Sequence, residues 1–252
     1  MKITTPIILI RGLFREQRHW GVFPTLLAKT FPDAKIICVD IPGNGQRHRE
    51  SSPTSIESMV DNIRSELEGR INVNIIAISM GGMIGLQWAT MYPNEINSLT
   101  CINTSAGNFS KFYERLLAKN YLTILKTLFV GVEKRERIIY KLLSNRPEDN
   151  NVIDNWVRYA QQYPVSKLNF LRQLWAAFKF TIDKQVNCRV LFISSLSDNL
   201  VSHRASKAIA QQWEVQLLIN LHDGHDIALD NPQWLCDNVE GFITRCLEKH
   251  LR

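Results

Sequence analysis

The sequence predicts an α/β fold: a mostly parallel central sheet flanked by helices, interrupted by one long helical insertion. Three observations carry this. Short apolar, β-branched runs recur along the chain; helix-like stretches separate them; and the alternation stops after Asn103 and resumes at Arg189. Runs that are apolar throughout, and not at every second position, suit strands covered on both faces, as in a parallel sheet.

The runs expected to be strands are Ile7–Ile10, Lys35–Asp40, Val73–Ile78, Leu99–Asn103, Arg189–Ser194 and Val215–Asn220. Between the early strands, His19–Thr30 and Ser55–Glu68 carry apolar residues at helical spacing, and Pro53-Thr54-Ser55 with Glu57-Ser58 offers a capped start to the second. From Thr104 to Asn187 the pattern is helical, with stretches Phe112–Tyr121, Glu133–Leu143, Val152–Gln162 and Leu168–Phe178. This segment is rich in aromatic residues, more than exposed helices need, so part of it should pack onto the sheet. The expected organisation is therefore a core of residues 1–104 and 188–252 with residues 105–187 as a helical cap.

Composition excludes several classes. With 252 residues, 45% of them hydrophobic, and only 12 Gly and 9 Pro, the chain reads as an ordinary globular protein that can bury a full core. No apolar run approaches the ~20 residues that span a bilayer, and no secretory leader is recognisable, so a cytoplasmic protein without integral membrane contact is expected. The five cysteines are scattered without CxxC spacing, which points neither to a disulfide framework nor to zinc; Cys38 and Cys101 lie in expected strands as small core residues. The net charge of +6 is local: residues 105–187 hold 14 Lys and Arg against 7 Asp and Glu, the rest 16 against 17. A basic segment can meet anions, nucleic acid or a membrane surface, but no nucleic-acid-binding signature accompanies it.

The sharpest local feature is Ile75-Ile76-Ala77-Ile78-Ser79-Met80-Gly81-Gly82, an expected strand that ends in Ser and runs straight into a helix. Such a turn projects the Ser hydroxyl and needs small residues two before and two after it, here Ala77 and Gly81. The segment resembles the nucleophile elbow of the α/β-hydrolase family, G-x-S-x-G, with Ala77 in place of the first Gly. Asp40-Ile41-Pro42-Gly43-Asn44-Gly45 is similar to the family's D-x-P-G-x-G turn.

The resemblance implies a Ser–acid–His order. It assigns Ser79 as nucleophile, Asp198 after the strand that follows the insertion as the acid, and His225 in the Gly-His loop after the last strand as the base. Asp183 and His222 are the rivals, and His203 reads as a surface residue. A hydroxyl needs a base to take its proton, and the base needs an acid to fix its tautomer. The resemblance also implies an oxyanion hole from the backbone N–H groups of Met80 and Leu13, with Phe14 as the alternative donor. Arg11 stands where the family usually has His, and, because the chain begins almost at the first expected central strand, the hairpin that commonly opens the fold is expected to be absent or cut short.

The implied reaction is acyl transfer on a small-molecule ester or thioester, without metal or organic cofactor. Carbon–carbon bond hydrolase, lactonase and non-catalytic receptor remain alternatives on the same residues. Phe14 and Arg15 are candidate substrate contacts. Arg11, Arg15, Arg18 and His19, in or beside the oxyanion loop, read either as solvated surface charge or as contacts for an anionic substrate, and the aromatic insertion suggests an apolar pocket.

Overall fold

A computed structural model describes residues 3–67 and 72–248. Among the described residues, six strands form one parallel sheet: β1 (Ile7–Ile10), β2 (Ile36–Val39), β3 (Val73–Ile78), β4 (Ile96–Ile102), β5 (Arg189–Ser195) and β6 (Gln216–Asn220), in the order β2-β1-β3-β4-β5-β6. β1, β3 and most of β4 and β5 are buried, as their unbroken apolar runs require.

Because successive side chains point to opposite faces, each central strand feeds two cores. Ile8, Ile10, Ile75, Ala77, Leu99 and Phe192 pack with α2 (Ile56–Glu66), α3 (Met80–Met91) and α9 (His203–Gln212). Ile7, Leu9, Ile76, Ile78, Leu191 and Ile193 meet α1 (Phe23–Thr30) and α11 (Pro232–Glu248) on the other face. Each layer shields the sheet backbone from water, which fixes the strand ends as the exposed, functional edge.

Between β4 and β5 lie α4 (Phe112–Arg115), α5 (Tyr121–Thr127), α6 (Val132–Leu143), α7 (Asn150–Gln162) and α8 (Lys167–Lys179); α10 (Ile227–Asp230) precedes α11. Tyr140, Leu143, Ile153 and Trp156 make a small core between α6 and α7. α8 docks onto the sheet layer by polar contacts as well as by Ala176: buried Gln173 donates to Asn44 Oδ1 at 2.7 Å and Ser52 Oγ at 3.0 Å, and Asn169 donates to Glu50 O at 2.9 Å.

Two expected helices are broken. His19–Thr30 divides into a 3-10 turn over Gln17–Trp20 and α1, because Gly21 adopts φ 57°, which a continuing helix cannot contain. Phe112–Tyr121 divides into α4, a 3-10 turn over Ala118–Asn120 and α5, since Leu116 and Leu117 are extended and Leu117 N–H bonds Leu200 O at 2.9 Å. Ser55 caps α2 as expected, accepting from Ser58 N–H at 3.3 Å; Glu68, the expected last residue of that helix, lies outside the described residues. Cys101 is buried but Cys38 is only half-buried, because β2 is an edge strand. No disulfide joins cysteines among the described residues.

Candidate active site

Ser79 sits between β3 and α3 with φ 58° and ψ −122°, a conformation that costs an L-residue energy and persists only when its surroundings impose it. They do so on both sides. Ser79 N–H bonds Ile102 O at 2.8 Å, and its carbonyl accepts from the Thr104 hydroxyl at 2.8 Å and Gly82 N–H at 2.9 Å. The small residues matter by contact: a Cβ on Gly81 would collide with the carbonyl of Ile10 and lie 2.8 Å from that of Arg11, and one on Gly82 would meet Thr104 Cβ at 2.7 Å. Gly12 faces the serine, its would-be Cβ 2.9 Å from Ser79 Cβ and 3.4 Å from Oγ.

Asp198 follows β5 and is buried. Its Oδ1 accepts from Leu200 N–H at 2.7 Å and Val201 N–H at 2.9 Å, which leaves Oδ2 for His225 Nδ1–H at 2.7 Å. With Nδ1 committed to the carboxylate, Nε2 is the nitrogen left to accept a proton. His225 is buried, and its loop is held by Asn103, which donates to His225 O at 2.7 Å while accepting from Ser195 N–H at 2.8 Å. His222 is exposed three residues earlier, His203 begins α9, and Asp183 is exposed before β5.

Ser79 and His225 line one cavity of about 150 Å³, together with Gly12, Leu13, Phe14 and Met80. Arg11, Arg15 and Arg115 also line it; the rest of the wall is largely apolar and comes mostly from the insertion, including Ile124, Ile139, Leu142, Phe170 and Leu174. The cavity lies at the carboxyl ends of the strands, where parallel sheets place ligands. Leu13 and Phe14 belong to a turn in which Phe14 has φ 63°; Phe14 N–H donates to Gln173 Oε1 at 3.1 Å.

The basic residues beside this loop are compensated. Arg11 is buried against Asp226, Arg15 pairs with Glu136 at 2.8 Å, and Arg18 pairs with Glu16 at 2.8 Å. Arg15 also donates to His19 Nε2 at 2.8 Å and lies 4.4 Å from the Trp156 ring centre. Burial, then the neighbouring Arg15 and Arg11, lowers the His19 pKa well below its ordinary 6.5 and keeps it neutral; burial lowers that of Arg15 against the opposing pull of Glu136. Asp40 accepts from Gln17 N–H at 2.8 Å and Gln46 N–H at 3.0 Å, so the Pro-Gly turn after β2 braces the loop after β1.

A family model for the alpha/beta hydrolase fold matches residues 5–232. The chain belongs to the α/β-hydrolase fold family. Solved structures of other α/β hydrolases share its architecture at low identity. An esterase from Thermogutta terrifontis superposes with TM-score 0.74 at 14% identity, covering 98% of this chain and 92% of that one. A structure from a study of carboxylesterases of the thaumarchaeon Nitrososphaera gargenis gives 0.75 at 19%, with the same coverages. The esterase RhEst1 from Rhodococcus sp. gives 0.73 at 16%, over 95% and 90%. One curated relative, the biotin biosynthesis bifunctional protein BioHC of Teredinibacter turnerae, is 29% identical over 100 residues; the match spans 39% of this chain and 17% of that protein's length.

Asn103, Thr104, Gln173 and Asp226 were not singled out by the sequence as site residues. The signal for Gln173 was legible: with Asn169 it places polar residues four apart on a face of α8 that otherwise buries Phe170 and Ala176.

Proposed function

We propose that this α/β hydrolase cleaves an ester or thioester of a small molecule, with Ser79 as nucleophile, His225 as base and Asp198 as the acid. The observation that carries the reading is the 2.7 Å Asp198–His225 pair opening on the same cavity as the strained Ser79.

In this reading His225 Nε2 takes the Ser79 proton as Oγ attacks the carbonyl carbon, and Asp198 stabilises the imidazolium that forms. The N–H groups of Leu13 and Met80 hold the oxyanion; Phe14 N–H already serves Gln173, which favours Leu13 as donor from its loop. His225 then returns the proton to the leaving oxygen or sulfur, and water, deprotonated in turn by His225, releases the acid from the acyl-enzyme.

Residues 105–187 act as a cap whose apolar side chains receive the acyl group. The cavity matches in size an apolar site of about 150 Å³ that takes benzene, so an acyl group of about six heavy atoms fits without rearrangement. The ion pairs of Arg11, Arg15 and Arg18 with carboxylates favour a neutral acyl group over an anionic one. Phe14 and Arg15 both contribute to the pocket wall, and Arg15 also ties the cap to the core through Glu136.

Hydrolysis of p-nitrophenyl esters of graded acyl length by wild type and Ser79→Ala tests the reading. Activity peaking at short to medium chains and lost in Ser79→Ala supports it; undiminished hydrolysis by the folded variant overturns it.

A further inference from the structure

The insertion buries some of its aromatic residues and exposes an unusual number of others. On α8, Leu168, Leu171, Trp175 and Phe178 recur at helical spacing on the outward side, while Asn169, Phe170, Gln173 and Ala176 face inward. Trp175 is 52% exposed and Phe178 58%; on the facing elements Phe112 is 60% exposed and Leu122 81%. Phe112, Tyr121, Leu171, Trp175 and Phe178 line one apolar groove. This is a built surface: Arg115 of α4 spans to α8, donating to Phe178 O at 2.9 Å and also to Ala177 O.

The chain's positive charge is concentrated on the same elements. Residues 111–129 and 165–180 hold seven Lys and Arg against one acidic residue, Glu114. None of Lys111, Lys119, Lys126, Lys167 and Lys179 is ion-paired with a described carboxylate. Lys111, Lys167 and Lys179 instead lie 5.8, 4.9 and 5.7 Å from the ring centres of Tyr113, Phe129 and Trp175. Protruding Trp, Phe and Leu interleaved with lysines that no described carboxylate neutralises are what an interfacial surface needs: the rings enter the headgroup boundary and the ammonium groups meet lipid phosphates.

We propose that the face formed by α4, α5 and α8 docks peripherally on an anionic lipid bilayer. An acidic protein would answer the charge, but it gives no reason for an open apolar groove between exposed rings. The groove shares Met83, Arg115, Leu116, Leu174 and Ala177 with the cavity over Ser79. Docking therefore sets the groove, and through it the cavity, against lipid; only this consequence rests on the hydrolase reading.

Co-sedimentation with vesicles of phosphatidylcholine, with and without about a third phosphatidylglycerol, tests the proposal. Wild type and Ser79→Ala are expected to bind the anionic vesicles equally, about tenfold more tightly than the neutral ones, and to release as salt is raised. Two variants at exposed positions, Lys119→Glu/Lys126→Glu/Lys179→Glu and Leu122→Ser/Trp175→Ser/Phe178→Ser, are each expected to lose about tenfold in binding while circular dichroism and thermal midpoint stay at wild-type values. Equal failure on both vesicles at low salt, or undiminished binding by both folded variants, overturns the proposal and leaves the face to a protein partner. Because binding is read without turnover, an inactive protein that still binds separates this inference from the proposed chemistry.

Discussion

Arg11 donates to both carboxylate oxygens of Asp226, at 3.1 and 2.5 Å, and so ties the loop that carries Leu13 to the residue that follows His225. Both side chains are buried, and Asp226 also accepts Leu229 N–H at 3.3 Å. A residue that departs from the family pattern is thus the clamp between the two loops that flank Ser79.

Removing one partner of this pair leaves a buried charge alone. Asp226→Ala is expected to cost about 3–5 kcal/mol of stability, and an apolar double replacement such as Arg11→Met/Asp226→Leu to recover much of it. Urea unfolding checks both. A single variant within 1 kcal/mol of wild type would show that the pair does not fix the loops.

Asp198→Asn preserves the acceptor for Leu200 and Val201 N–H but can present an amide N–H to His225 Nδ1. The tautomer then reverses, and kcat is expected to fall about 10⁴-fold with little change in thermal midpoint. Steady-state kinetics on a p-nitrophenyl ester decides; a loss below tenfold would count against Asp198 as the acid.

The glycines around Ser79 act through contact. Gly81→Ala forces a Cβ into the carbonyls of Ile10 and Arg11 and is expected to destabilise by about 1–3 kcal/mol or more. Gly12→Ala presses on Ser79 itself, with its Cβ 2.9 Å from Ser79 Cβ, so its expected effect is on kcat more than on folding. Urea unfolding and kinetics on the two variants separate these outcomes; equal activity loss with no destabilisation in Gly81→Ala would be inconsistent with the packing.

His19 has a pKa lowered well below 6.5 in the folded protein, by burial first and Arg15 second. The unfolded chain therefore binds a proton that the folded chain refuses, and stability falls as pH drops below about 6.5. Burial acts the opposite way on Asp40 and Glu16, whose raised pKa values favour the folded state as they protonate at lower pH. The His19 contribution is isolated by comparing thermal midpoints of wild type and His19→Gln from neutral to mildly acidic pH. The gap should narrow or reverse toward acid in favour of the variant; parallel curves would contradict a neutral buried His19.

Much of this was legible because it is local. Apolar runs such as Val73–Ile78 and Arg189–Ser194 declare buried parallel strands, and a strand ending in Ser79 between Ala77 and Gly81 declares the tight turn. What was hidden depends on contacts between distant parts of the chain. Asn103 bridges Ser195 and His225, and Arg11 reaches Asp226 across 215 positions; no periodicity encodes either. Aromatic content announced a packed insertion, but not which rings turn inward. That division emerged only when Asn169 and Gln173 anchored one face of α8 and left Trp175 and Phe178 on the other.

The central claim is that Ser79 is an activated nucleophile, and the most direct measurement is covalent labelling by a fluorophosphonate, with the modified residue located by peptide mass spectrometry. A single adduct on Ser79, lost in Ser79→Ala and slowed in His225→Gln, is the result expected. A folded wild type that takes no label, or labels elsewhere at the same rate in Ser79→Ala, would contradict it.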